Sequence, residues 1–416
     1  MMRKPETIEC LYLDFDGFFA SVEQQVRPRL RDRPIGVVPF TSTVYTCVIA
    51  CSKEAKRHGV TNVMPVLEAK KLCPDIVLVP QSPDLYRRAH HALLNEIACV
   101  IPIDAIKSID EITCRLEPCD RAAPRDLAAR IQARIADNIG PYITCSIGFA
   151  ANRLLAKMAG KRDKPNGVTI WNPVDMPAPL LEIPLADISG VGKRMERRLG
   201  AAGIFTMAAL WKTQPKHLRK IWGNVTGERL WYALHGHDIQ ATPSSRGMFG
   251  HGRVLPPQWR DIDHARACSR LLLIKAARRM RRAGFYAGRL WLWMVMRDAR
   301  WSGDHRLPIV HDDQACLAGL AALWEKAGAE LPGAAKIIQL GITLLDLSPA
   351  TSRQLDMLID DDLARKRWER VTAAVDRLNM KYSKTVVSMG PWTPPPGGYA
   401  GGKISYTRIP RAEDFW

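Results

Sequence analysis

Asp14 and Asp16 interrupt an apolar run, Leu11 to Glu23 (LYLDFDGFFASVE), whose aliphatic and aromatic residues otherwise suit a buried strand. Ionised carboxylates withdrawn from water must be paired or must hold a cation, so acids at such a place point to a metal site. A second acidic pair, Asp110 and Glu111, breaks another strand-like stretch from Ile106 to Leu116 (IKSIDEITCRL). Adjacent residues on a regular strand face opposite ways, so both acids can enter one site only through a turn or bulge between two antiparallel strands. Asp14, Asp110 and Glu111 gathered there could hold two hard divalent ions about 4 Å apart, the arrangement for in-line phosphoryl transfer. Either acidic pair alone is also an ordinary strand-end or turn feature; their combination in sequence order carries the reading.

Successive segments resemble the motifs of the Y-family translesion DNA polymerases: Asp14 to Glu23 (DFDGFFASVE), Ser108 to Glu111 (SIDE), Cys145 to Gly148 (CSIG), Leu154 to Lys157 (LLAK) and Lys164 to Gly167 (KPNG). The resemblance covers nearly the whole chain. It implies an α+β, multidomain right-hand polymerase: a palm from residues 1–25 and 75–170, fingers from 26–74, and a helix-hairpin-helix thumb from 171–242. A βαββαβ little finger from 243–347 and a tail from 348–416 complete it. It implies error-prone, template-directed addition of deoxynucleotides to a primer, with Asp14, Asp110, Glu111 and the Phe15 carbonyl holding two Mg²⁺ ions. Asp16 is not a ligand in that family and is expected to orient the turn. Phe19, five residues past Asp14, resembles the steric gate that crowds a ribose 2′-hydroxyl, with Phe18 left to the core; the plainer reading of Phe19 is a core aromatic. Where the family usually places a tyrosine and an arginine against the triphosphate, this chain has Lys53 and Lys56, three apart on one helix face and without the guanidinium fork. Lys164 matches the family's triphosphate-binding lysine, while Lys157 is read as structural or as a DNA contact.

The elements that must position these residues are legible as patterns. Residues 26–74 read as short strands (GVVPF, TVYTCVIAC) and a helix from Ser52 to His58. Helices are predicted over Asp84–Ile101 and Pro124–Ile139, with strands over Ile76–Pro80 and Tyr142–Phe149. A further helix, Asn152–Gly160, opens on an asparagine able to cap it. Gly190-Val191-Gly192 lies between helical patterns, where glycines let backbone approach a phosphate and the next helix offers its amides. Gly190, Gly192 and Lys193 are therefore candidate DNA contacts, the alternative being an interhelix turn. After a linker at 241–250, the order strand (248–255), helix (261–284), strands (289–296 and 305–311), helix (312–329) and strand (336–344) reads as βαββαβ.

At 416 residues the chain has room for two to four domains, and its net charge of +18 suits a protein that meets a polyanion. Between Arg246 and Arg300 thirteen Arg or Lys face three Asp, an apparent footprint for duplex phosphates that includes Arg253. The alternative is a basic domain that docks RNA or an acidic protein. Gln354 to Leu358 (QLDML) resembles the peptide with which bacterial polymerases bind the sliding clamp, through Gln354, Leu355 and Leu358; Met357 and Ile359 depart from its usual ending. A charged helix is expected over Asp360–Tyr382, and an irregular tail over Pro391–Trp416. Ten cysteines without metal-type spacing suggest reduced intracellular thiols. No apolar run of membrane-spanning length or export signal is apparent, so a cytoplasmic monomer acting on primer-template DNA and deoxynucleoside triphosphates is expected. The rival classes are a non-catalytic relative that scaffolds repair proteins, another palm-type two-metal enzyme such as a cyclase, and a DNA-binding module with structural acids.

Overall fold

The computed structural model describes residues 3–239, 245–352, 362–391, 404 and 409–415. The chain divides into two units, Met1–Thr242 with Ile404–Ile409, and Pro243–Lys403 with Pro410–Trp416.

In the first unit β1 (Cys10–Phe15) turns at Gly17 into α1 (Phe18–Val26). Residues 26–74 hold β2 (Ile35–Val38), β3 (Cys47–Val48), β4 (Ala50–Cys51), α2 (Lys53–Arg57), β5 (Met64–Pro65) and α3 (Val66–Leu72); β6 (Val77–Pro80), expected with the palm, instead pairs in parallel with β2. The chain then continues through α4 (Pro83–Ala98), β7 (Ala105–Ile106), β8 (Glu111–Arg115), α5 (Pro118–Ala122), α6 (Pro124–Asn138), β9 (Cys145–Ala150), α7 (Arg153–Ala159) and β10 (Val168–Ile170). Five strands form one sheet in the order β10-β9-β1-β8-β7, with β1 antiparallel to both neighbours. The pleat decides which residues reach the chemistry. Leu11, Leu13 and Phe15 are buried in one core with Leu93, Ile97, Ile131 and Ile135 of α4 and α6, whereas Tyr12 joins Leu155 and Ala156 of α7 in another. Asp14 alternates with Tyr12 and so leaves the sheet on the α7 side. The expected single strand TVYTCVIAC is two, because the chain changes partners within it: β3 pairs with β5, while β4 pairs with β2.

The rest of this unit is helical: α8 (Ala178–Leu181), α9 (Lys193–Ala201), α10 (Met207–Lys212), α11 (Pro215–Trp222) and α12 (Val225–Leu234), packed through Leu199, Leu210, Leu218 and Leu234. Ahead of Gly190 stands a single 3₁₀ turn, Leu185–Asp187, in place of a full helix.

The second unit realises the βαββαβ order as β11 (Phe249–Val254), α13 (Ile262–Arg282), β12 (Phe285–Val295), β13 (Arg300–Val310), α14 (Asp313–Glu330) and β14 (Gln339–Pro349), in one antiparallel sheet ordered β11-β14-β12-β13. β12 begins four residues before the expected Arg289, because Gly288, which reads as a strand breaker, lies at a register shift between Ala287 and Arg289. α13 and α14 cover one face, burying Leu272, Leu290, Leu292, Leu320 and Ile342. The helix α15 (Asp362–Tyr382) is no solvated appendage, since it buries Thr372, Val375 and Asn379.

Later parts of the chain, α15 among them, take up some of the charge counted from the sequence. Of the thirteen basic residues counted as a nucleic-acid footprint, Arg270, Lys275, Arg278, Arg281 and Arg282 are turned toward later parts of the chain. Arg278 and Arg281 pair with Asp376 at 3.1 and 2.9 Å, and Lys275 donates to the Asp414 carbonyl at 2.7 Å. Arg270 bonds the Met389 carbonyl, and Arg282 lies 3.7 Å from Glu413.

Candidate active site

Asp14 near the end of β1 stands directly opposite Glu111 at the start of β8 in antiparallel register. Asp110 occupies the turn just before β8, and its carbonyl accepts from the Phe15 amide at 2.9 Å, which draws that turn against the end of β1. The adjacent acids that could not share a strand face are thus divided between turn and strand, and three carboxylates meet where the strands end. Asp16 is aimed elsewhere: only 8 % exposed, it accepts from the Ser146 hydroxyl at 2.8 Å, the Thr144 hydroxyl at 3.0 Å and the Asn166 amide at 2.8 Å. These bonds tie the residue after β1 to Thr144, Ser146 and Asn166.

Each of the three carboxylates has a neighbour. Lys164 pairs with Asp14, the Ser108 hydroxyl donates to Asp110, and the Lys157 ammonium lies 2.5 Å from Glu111 Oε1. Burial pushes the Asp14 carboxyl up to about 6, a rise that Lys164 opposes and that Asp110 and Glu111 reinforce. Burial likewise raises Asp110, against the Ser108 hydrogen bond. Burial would raise Glu111 too, but the hydrogen bond and charge of Lys157, with the Tyr12 hydroxyl and Lys164, turn its shift downward.

Among the described residues no three His, Cys, Asp or Glu side chains form a ready-made metal cage. The donors at hand are hard oxygens crowded in a partly buried place, and ammonium groups already balance two of them. This donor set, and the charge requirement it creates, fit a hard divalent cation.

Of the remaining expected residues, Phe18 is buried at 3 % exposure, while Phe19 is half-buried and stacks on Tyr86 at 4.4 Å with the rings 13° apart. Gly17 has φ 55, and a Cβ there would press on the Cys51 carbonyl at 3.0 Å, so this turn needs glycine. The Lys56 ammonium reaches that turn, 3.9 Å from where the Cβ would stand. Lys53 is directed instead to Glu54, at 3.9 Å, and to the Tyr142 ring, at 5.8 Å. In the hairpin Gly190 has φ 97, Gly192 caps α9, and Lys193 is exposed at its first position. Arg253 pairs in register with Leu340, a core residue, so it faces the α13 side near Cys268 and not the sheet face that bears Trp291. Gln354, Leu355 and Leu358 lie outside the described residues. Tyr12 and Tyr86 went unassigned in the sequence; the alternation of Tyr12 with Asp14 was the available signal for the first, and nothing local marks the second.

Three family models match in chain order. The impB/mucB/samB family matches residues 13–161, the DNA polymerase-iota thumb domain 186–238, and the impB/mucB/samB family C-terminal domain 246–357. The sequence is 31% identical over 385 residues to a DNA polymerase IV of Moorella thermoacetica, across 91% of this chain and 94% of that one. It is 28% identical over 391 residues to DNA polymerase IV 1 of Bacillus subtilis, across 91% and 92% of the two chains. In fold it resembles a Y-family DNA polymerase chimera of Dbh and Dpo4, with a TM-score of 0.66 at 22% identity over 81% of this chain and 98% of that one. An insertion ternary complex of Dbh DNA polymerase gives a TM-score of 0.54 at 23% identity, with the same coverage.

Proposed function

The chain belongs to the Y family of DNA polymerases, in the impB/mucB/samB family with the DNA polymerase IV relatives, and we propose that it builds DNA where Asp14, Asp110 and Glu111 converge. It is a template-directed, error-prone DNA polymerase of the translesion class that adds deoxynucleotides to a primer 3′-end. Membership also carries a dependence on divalent metal. Asp14, Asp110 and Glu111, with the Phe15 carbonyl, are the groups that would hold two Mg²⁺ ions. When bound, these ions activate the primer 3′-hydroxyl and neutralise charge on the leaving pyrophosphate.

The chain's own residues do the rest. The Asp16 network and the Phe15 amide fix the strand end, so the carboxylates need little rearrangement. Lys164 and Lys56 bring positive charge to the side from which a triphosphate approaches, and Phe19 stands ready to crowd a 2′-hydroxyl. Lys53 would join them only after leaving Glu54 and Tyr142. Gly190, Gly192 and Lys193 offer amides and a cation to the DNA backbone, and Gln354, Leu355 and Leu358 offer a peptide to a sliding clamp.

The single observation that carries this reading is the cross-strand register of Asp14 with Glu111, with Asp110 held alongside by the Phe15 amide. Primer extension on a primed template with Mg²⁺ tests it. Asp110→Ala abolishes product; synthesis that survives the substitution refutes the site and returns the chain to the scaffold reading. Deletion of 354–358 leaves distributive synthesis intact and removes stimulation by the clamp, whereas stimulation that persists discards the peptide.

A further inference from the structure

Lys157 is placed with more care than a surface cation needs. It sits in the last turn of α7, a helix whose start is fixed by the Asn152 side chain, which accepts from the Leu155 amide at 3.0 Å. The same side chain donates to the Ala233 and His237 carbonyls at 2.8 and 2.9 Å, tying α7 to the end of α12. The far end of α7 lies directly on β9: a Cβ on Gly148 would stand 2.1 Å from the Ala156 carbonyl and 2.3 Å from the Gly160 amide. Held from both ends, α7 carries Lys157 across the α7 side of the sheet, with its ammonium 2.5 Å from Glu111 Oε1 and 5.2 Å from the centre of the Tyr12 ring. Tyr12 is 3 % exposed, and its hydroxyl faces the Glu111 carboxylate closely enough that the two groups shift each other's titration. Lys164 differs: it follows α7 in a loop, its side chain is 32 % exposed, and it can leave Asp14 for an arriving phosphate.

We propose that Lys157, backed by Tyr12, is a positioning residue that holds Glu111 from one side, leaves its remaining lone pairs for a divalent cation, and weakens the binding of that cation by its fixed positive charge. This rests on Asp14, Asp110 and Glu111 being the metal site. Two opposed effects follow from one side chain. Its orientation of Glu111 favours turnover, while its charge, repelling a cation at the same carboxylate, keeps the ion exchangeable.

Thermal shift of the full-length chain titrated with MgCl₂ reads the second effect, because a ligand that binds only the folded state stabilises it by RT ln(1 + [L]/Kd), and fitting that rise gives the half-saturating Mg²⁺ concentration, the midpoint. Lys157→Met lowers the half-saturating Mg²⁺ concentration by about fivefold or more, while kcat at saturating Mg²⁺ falls; Lys157→Arg restores both. Tyr12→Phe, which keeps the ring beneath the ammonium and serves where the Met variant does not fold, moves the midpoint the same way by about twofold. A merely structural lysine would lower the melting temperature and leave the Mg²⁺ midpoint unchanged. An unchanged or raised midpoint in both variants overturns the proposal. The underlying site fails in a different manner, with the wild type and Asp110→Ala responding alike to Mg²⁺.

Discussion

As the proposed sugar gate, Phe19 would work only with its ring kept from swinging aside, and the ring packed against it is Tyr86. The two rings stack at 4.4 Å and 13°. Tyr86 is itself immobile: it is fully buried, and its hydroxyl donates to Glu23 Oε1 at 2.8 Å. Glu23, also fully buried, is held through Oε2 by Arg27 at 2.8 Å. Burial and the neighbouring carboxylate push the Tyr86 phenol upward, so it remains a donor at every working pH. A stacked aromatic pair contributes about 0.5–1.5 kcal/mol beyond its buried area. With a tenfold change for every 1.4 kcal/mol, loss of the stack lowers the preference for deoxy- over ribonucleotides by roughly two- to twelvefold. Tyr86→Leu therefore gives an intermediate enzyme, between the wild type and a Phe19→Ala variant that has no gate. Tyr86→Phe separates position from stability: the stack and the sugar preference persist, while the Glu23 oxygen left without its donor costs about 1–3 kcal/mol. Single-nucleotide insertion kinetics with paired deoxy- and ribonucleotides, alongside denaturant unfolding, measure the two effects. If Tyr86→Leu stays within twofold of wild type while Phe19→Ala loses discrimination, the stack does not set the gate.

Arg281 lies in the second unit with its side chain 10% exposed, 2.7 Å from Asp313 and 2.9 Å from Asp376. Arg281→Met leaves both acids without that partner and lowers stability by about 3–5 kcal/mol in chemical denaturation; a loss below about 1 kcal/mol would mean that the network is solvated. His90 is 1 % exposed, with Nδ1 2.7 Å from the Ile109 carbonyl, and burial pulls its pKa down to about 4. The fold therefore favours the neutral ring while the unfolded chain protonates near 6.5. Stability present above pH 6.5 is lost as pH falls toward 4, by on the order of 3 kcal/mol, and His90→Gln should flatten that part of the denaturation profile. Lys193→Ala weakens DNA binding uniformly across sequences and reduces the slope of log affinity against log salt by about 0.9; an unchanged slope places Lys193 away from phosphate.

Much of this was readable from local rules. The βαββαβ order follows from alternating periodicities, and the Asp110-Glu111 turn follows from the impossibility of two neighbouring acids sharing one strand face. What escaped depends on contacts remote along the chain. Lys157 meets Glu111 only because α7 docks on β9 through Gly148, and nothing near Lys157 announces a partner 46 residues away. The acid that answers both Arg278 and Arg281 of α13, Asp376, lies almost a hundred residues later, so a running charge count takes part of an internal interface for a DNA-binding stripe. Arg253 was misleading for another reason. On β11 the glycines Gly250 and Gly252 alternate with His251 and Arg253, and the glycines take the face away from α13, reversing the usual rule that charge points out.

The α15 layer alters what a clamp would encounter. In sequence, residues 354–358 fall between β14, which ends at Pro349, and α15, which begins at Asp362, and both of those elements are anchored in the second unit. On the proposed clamp-binding reading, a partner that took this peptide would take a segment tethered in the chain on both sides. Less chain entropy is forfeited on capture than with a dangling terminus, and fewer angles of approach are open. A mount of this kind aims the second unit as it holds it.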